Sequence, residues 1–260
     1  MKQDTWSTSI SEIHPNEVRL RGYRIDELMG EISFSEGIYL AIMGDLPSPA
    51  INRLVEAILV SSVDHGATPP SALAARTAAS TGASMNAAIA CGVLSINRFH
   101  GGAIEDCMLM LQAGLNQGID DEPPIDDLAA SIFEDYQQQK KRMPGLGHRI
   151  HSDDPRTTRL FNLAAELDLS GSAVDLIKSL QTKLADNGKQ LPINVDGAIA
   201  AVLVDLGIPS ALANSFFIMA RLPGLVAHVY EEQSREKPMR RIHPNSHSYD
   251  GPKPRTLMKP

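Results

Sequence analysis

The chain has 260 residues, of which 43% are apolar and 21% charged, with a formal net charge of −7. That length and balance suit one large globular domain or two smaller ones, and exclude a disordered or fibrous protein. The acidic excess excludes a generic nucleic-acid binder, whose affinity would rest on basic side chains neutralising phosphates.

The opening MKQDTWSTSI lacks the basic-then-apolar layout of a secretory signal. The longest uninterrupted apolar run, AIAAVLV at 198–204, is too short to span a bilayer, so a cytoplasmic protein without a membrane partner is expected. Ser33 and Glu36 form a capping box that opens a helix ended by Gly44. Ser48 and Pro49 open the next, whose Ile51, Leu54, Val55, Ile58 and Leu59 recur at helical spacing on one face. The alanine-rich SALAARTAAS (71–80) suits close helix packing, and Cys91 and Cys107, in helical text without metal-ligand spacing, are expected to be buried reduced thiols.

Further helical faces follow at Leu128, Ile132, Phe133 and Tyr136, then at Leu160, Leu163, Ala164 and Leu167, the latter opened by Asp154 and Pro155. Others carry Leu176, Ile177, Leu180 and Leu184, then Val195, Ile199, Val202, Leu203 and Leu206 before Gly207 and Pro209. A last helical stretch covers about 211–232. No segment alternates as a strand would, and the predicted fold class is all-α.

Polar chemistry gathers at the breaks between helices: DHGATPPS around His65, FHGGA around His100, PGLGHRIHSDDPR around His148, and NVDGA around Asp196. Each histidine adjoins a glycine, which lets backbone approach a ligand, and Arg156 and Arg221 suit bidentate binding of carboxylates. Taken singly, a histidine in a turn or an aspartate in a first helical turn is more often a cap than a catalyst. Asp196, at a helix start among apolar neighbours, is open to a pKa raised by burial and lowered by the helix terminus. No pair matches HExxH, and neither a phosphate-binding loop nor GxSxG occurs, so no metal site, nucleotide-triphosphate enzyme or serine hydrolase is expected.

Taken in order, these motifs resemble the citrate synthase superfamily over nearly the whole chain: RLRGYRIDELMGEISFSEGIYLAIMGDLPS (19–48), then the DHG, HGGA, GLGHR and NVDGA motifs, then IMARLPGLVAHVYEE. The resemblance implies a large helical domain at 1–102 and 207–260, closing on an inserted small one at 103–206. It implies His100, His148 and Asp196 as catalytic residues, and His65, Arg156 and Arg221 as binding groups for oxaloacetate or a citryl group. Arg241 is the expected arginine reaching into the partner subunit's site of a homodimer, or of a higher assembly. A coenzyme A ester is the expected substrate and no separate cofactor is expected. Only about fifteen residues separate the LP signature from the DHG motif, where synthases carry a long helical segment, and HPNSHSY (243–249) echoes the final stretch of short relatives. Such short forms resemble citryl-CoA lyases and the C-terminal lyase module of ATP citrate lyase, so cleavage of citryl-CoA to acetyl-CoA and oxaloacetate is the leading expectation. The alternatives are citrate synthase, or a synthase for a related 2-oxo acid, and a non-catalytic CoA- or citrate-binding protein.

Overall fold

The computed structural model describes residues 6–116, 123–148, 152–240 and 253. The chain begins with an antiparallel sheet of three short strands, β1 (Ser11–His14), β2 (Glu17–Leu20) and β3 (Tyr23–Arg24), in sequential order. Ile13 faces Val18 and His14 faces Glu17 across a turn in which Asn16 takes a left-handed φ of 65°. The expectation of no strand is corrected here: elements of four residues or fewer are too short to display a period-two pattern. Arg21 fastens the sheet to the helical part of the chain, donating from Nη2 to the carbonyl of Ala41 at 2.9 Å.

The rest is helical. After α1 (Ile25–Leu28) come α2 (Phe34–Met43), α3 (Pro49–Ser61), α4 (Pro70–Ser80), α5 (Met85–Leu94), α6 (Ala103–Asn116) and α7 (Ile125–Gln138). Then follow α8 (Pro155–Glu166), α9 (Ser172–Asp186), α10 (Val195–Asp205), a 3-10 turn at Ser210–Leu212 and α11 (Ala213–Arg235). The capping box of α2 forms with both of its hydrogen bonds, Gly44 closes that helix in the left-handed region, and the Ser48 and Asp154 side chains cap α3 and α8.

The described residues form two compact units, one drawn from Met1–His65 and Ile96–Gly224, the other from Gly66–Ser95 and Leu225–Pro260. The expected division at 102/103 and 206/207 is of another kind, defined by closure around a ligand, and belongs with the proposed function. In the first unit α10 is the central helix: Ala198, Ile199, Ala200, Ala201, Val202 and Leu203 are all buried. A helix apolar on every side must be enclosed, and α6, α8 and α9 pack around it. Cys107 of α6 is buried there, as expected, whereas Cys91 on α5 is exposed, contrary to expectation. The weak amphipathic pattern of α5 gives no face to place a side chain by.

In the second unit the small residues Ala75 and Ala79 of α4 and Ala88 of α5 pack with Leu225 and Val229 of α11. Ion pairs lock this unit. Arg76, 7% exposed, donates from Nε to Glu232 at 2.7 Å and from Nη1 to Glu231 at 2.9 Å, and Arg240 Nε stands 2.8 Å from the other Glu232 oxygen. Removing one member of a buried pair strands the other charge at a cost of roughly 3–5 kcal/mol. Arg76 would keep Glu231, so Glu232→Gln is expected to lose about 3 kcal/mol, the low end of that range. Urea unfolding monitored by circular dichroism checks this, with Glu12→Gln on the exposed sheet as a neutral control.

Candidate active site

Five helix ends and turns, and the middle of α11, carry the polar residues of the motifs in the first unit. His65 lies after α3, His100 in the turn before α6, His148 in the 144–148 turn, Arg156 in the first turn of α8, Asp196 in the first turn of α10, and Arg221 on α11. The glycines beside the histidines take left-handed φ values of 83° (Gly66), 91° (Gly101) and 95° (Gly147), which a residue with a Cβ rarely adopts. Arg241 lies outside the described residues.

These side chains converge. The His65 and His148 rings meet edge to face with centroids 6.5 Å apart. His100 sits edge-on to the Phe217 ring at 5.6 Å, and the Arg221 guanidinium lies over the same ring at 5.0 Å. His65 is within electrostatic reach of Arg156, Arg221 and His148, and Asp196 within reach of Arg156 and Arg221.

Each charge is tuned by burial and neighbours. Asp196 keeps some accessible surface, but the protein packed around its carboxyl pushes its pKa up to about 6; Arg156 and Arg221 oppose the rise and Asp154 adds to it. Burial also lowers the pKa of His65 and His100, and the cationic Arg221 lowers both further. Both rings are thereby biased toward the neutral form, in which one ring nitrogen donates and the other accepts. Arg221 is 2% exposed, and its Nε donates to the Ser62 carbonyl at 2.9 Å while its Nη1 has no hydrogen-bond partner among the described residues. A buried guanidinium with an unused donor is a ready site for an anion.

Three contributions escaped the sequence reading. Asp154, identified as a helix cap, also grips Arg156 in a fork, accepting from Nε at 3.0 Å and from Nη2 at 2.8 Å, and so fixes where that guanidinium lies. Phe217 joins His100 to Arg221, and only its helical spacing of four from Arg221 hinted at this. Asn194 caps α10 through Gly197 N at 3.0 Å; the N-V-D-G spacing carried that signal. Among the described residues no three His, Cys, Asp or Glu side chains are placed to hold a metal ion. The arrangement offers two arginines for carboxylates, imidazoles able to donate or accept one proton, and a carboxyl poised near neutrality.

A mainly helical fold with such a polar cluster in one unit defines the class, and comparison with known proteins assigns the family. The family described as "Citrate synthase, C-terminal domain" matches residues 46–244, and the chain belongs to the citrate synthase family. It is an enzyme of lyase or synthase type. The solved citryl-CoA lyase of Hydrogenobacter thermophilus is 42% identical, with a TM-score of 0.88 over 97% of each chain. "Citrate/2-methylcitrate synthase" of Bacillus subtilis is 29% identical over 86% of this chain, which spans 58% of that relative's length. The ATP citrate lyase of Methanothrix soehngenii, solved with citrate and coenzyme A, shares the fold: 20% identity and a TM-score of 0.84 over 97% of this chain and 43% of that one.

Proposed function

We propose that the protein is a cytoplasmic citryl-CoA lyase, acting as a homodimer, that cleaves citryl-CoA to acetyl-CoA and oxaloacetate without a separate cofactor. The observation that carries this reading is the convergence of His65, His100, His148, Asp196, Arg156 and Arg221 in one unit. The match to a citryl-CoA lyase over 97% of each chain supports the choice among reactions of the family.

The chemistry follows from the residue types. Arg156 and Arg221, with His65, hold the carboxylates and hydroxyl of the citryl group, and this remote binding energy orients the bond to be broken. His148 removes the hydroxyl proton; the carbon to carbon bond then breaks, its electron pair entering the thioester as an enolate while the hydroxyl carbon becomes the ketone of oxaloacetate. The neutral His100 N–H donates to the thioester oxygen as that oxygen gains charge. The protonated Asp196 carboxyl delivers its proton to the carbon that becomes the acetyl methyl. Condensation is the same path reversed, with ionised Asp196 as the base. Closure of 103–206 on the remaining chain, and Arg241 reaching the partner's site, complete the proposal.

The B. subtilis relative favours a second reading, a synthase that goes on to hydrolyse the thioester. The purified protein is to be given citryl-CoA, with oxaloacetate followed through reduction by malate dehydrogenase, and separately acetyl-CoA with oxaloacetate, with free thiol followed. Rapid oxaloacetate release from citryl-CoA, with little free thiol in the second assay, is the expected result. Brisk thiol release in condensation without cleavage establishes the synthase instead, and inertness in both, with citrate still bound, points to the non-catalytic alternative.

A further inference from the structure

We infer that Asn194 is a positioning residue whose single amide locks the turn bearing His148 onto the start of the helix bearing Asp196. The inference rests on the reading of His148 and Asp196 as the pair that moves protons in the reaction.

The amide faces two elements at once. Its Oδ1 accepts from Gly197 N at 3.0 Å, which caps α10 immediately beside Asp196. Its Nδ2 donates to the Gly147 carbonyl at 2.8 Å, on the residue preceding His148. A backbone N–H can only donate and a carbonyl only accept, so these partners fix the orientation of the amide. A cap alone does not require this residue: serine and aspartate cap equally well, and only the amide supplies a donor on the far side.

The two elements lie in direct backbone contact, which makes the link a junction between rigid parts. A Cβ added at Gly197 would stand 2.4 Å from the Gly145 carbonyl oxygen, and one at Gly145 would stand 2.7 Å from Cys107 Sγ and 2.8 Å from Gly197 Cα. Around the junction, Gly147 N donates to Pro192 O at 2.7 Å and Asn194 N to Gly145 O at 3.0 Å. Thr157 Oγ1, next to Arg156, donates to Ile193 O at 3.0 Å. Residues 192–194 thus tie the His148 turn, the Arg156 helix and the Asp196 helix together, and the Asn194 side chain makes the bond nearest to both proposed proton carriers.

Three variants of the full chain test the assignment. Asn194→Ser keeps the cap and loses the donor, Asn194→Asp keeps the cap and adds a charge, and Asn194→Ala loses both bonds. With Asn194→Ser, hydrogen exchange is expected to quicken about tenfold at the Gly147 and Asn194 amides while the first turn of α10 stays protected. The kcat for citryl-CoA cleavage is expected to fall about 10- to 100-fold with KM changed less than about threefold, since misplacement by about 1 Å costs on the order of 10²-fold. Asp196 is faced by Arg156, Arg221, Asp154 and the Cys107 thiol. A further carboxylate in Asn194→Asp raises the Asp196 pKa by like-charge repulsion, so the limb of the rate profile governed by Asp196 moves to higher pH in that variant and stays in place in Asn194→Ser. Unchanged exchange at Gly147 overturns the link. Loosened exchange with unchanged kcat overturns its role in the reaction, as does a uniform loss of protection through α10, which marks a structural cap and nothing more. Inertness of the wild-type protein on every substrate, with exchange behaving as expected, sinks the proposed reaction and leaves the amide link standing.

Discussion

Asp196→Asn is expected to lower kcat about 10²- to 10⁴-fold, and at the same time to make the protein more stable at pH 8. The first effect follows from removing the only carboxyl proposed to exchange a proton with the reacting carbon, a contribution of roughly 10²- to 10⁴-fold. The second follows from linkage. The carboxyl has a pKa of about 6 in the folded chain, against about 3.9 for an unperturbed aspartate. The folded state therefore binds a proton more tightly than the unfolded one. Its contribution to stability is fully present below about pH 4 and is lost as pH rises through about 6. At pH 8 the ionised, enclosed carboxylate costs about 3 kcal/mol, and the neutral amide removes that cost. Urea unfolding of both proteins from pH 4 to 8 checks it: the curves should nearly coincide at the acid end and separate as pH rises. Citryl-CoA cleavage and its reversal exchange no net proton, so kcat/KM should show the same limb near pH 6 in both directions. Full activity in Asp196→Asn, or a stability difference that does not vary with pH, would show that this carboxyl is not the tuned group.

The parts of the structure legible in the sequence are those fixed by neighbours along the chain. Ser33 with Glu36, Ser48 with Pro49, and Asp154 with Pro155 mark helix starts because the capping partner is never more than three residues away. Buried faces such as Leu176, Ile177, Leu180 and Leu184 were legible for the same reason, their spacing being the helix period itself. The sheet at 11–24 was not, since it lives on pairings between strands of four residues or fewer. The meeting of His65, His100, His148 and Asp196 was foreseen only through motif resemblance, because contacts across 35 to 131 residues of chain have no periodic signature. Where the motifs were silent, so was the sequence reading: Asp154 looked complete as a cap, and nothing in its spacing showed that its carboxylate also grips Arg156. Cys91 and Cys107 looked alike because burial of a small side chain depends on which helix faces it, a tertiary fact.

Arg221 presents the same tension between stability and function with the sign of charge reversed. Its guanidinium is buried, its Nη1 finds no partner among the described residues, and burial lowers its pKa despite the nearby Asp64 and Asp196. Desolvation of that cation is therefore only partly offset until an anion arrives, and Arg221→Met, which keeps most of the apolar stem against Phe217, should leave stability unchanged or raise it by about 1 kcal/mol. Its function should collapse. Loss of a buried, bidentate carboxylate contact is expected to lower kcat/KM for citryl-CoA about 10³-fold, mostly through KM, and Arg221→Lys should recover little because an ammonium lacks the planar fork. A readout free of turnover is ligand stabilisation. Oxaloacetate at a hundred times its Kd should stabilise the wild-type protein by about 2.7 kcal/mol, or roughly 5–10 °C in Tm for a chain of this size. Neither Arg221 variant should show that shift at the same concentration. If Arg221→Met kept the full oxaloacetate-induced rise in Tm, the carboxylate would have to be held elsewhere. The buried guanidinium would then be a structural anchor for the Ser62 carbonyl, and the proposed orientation of substrate would fail with it.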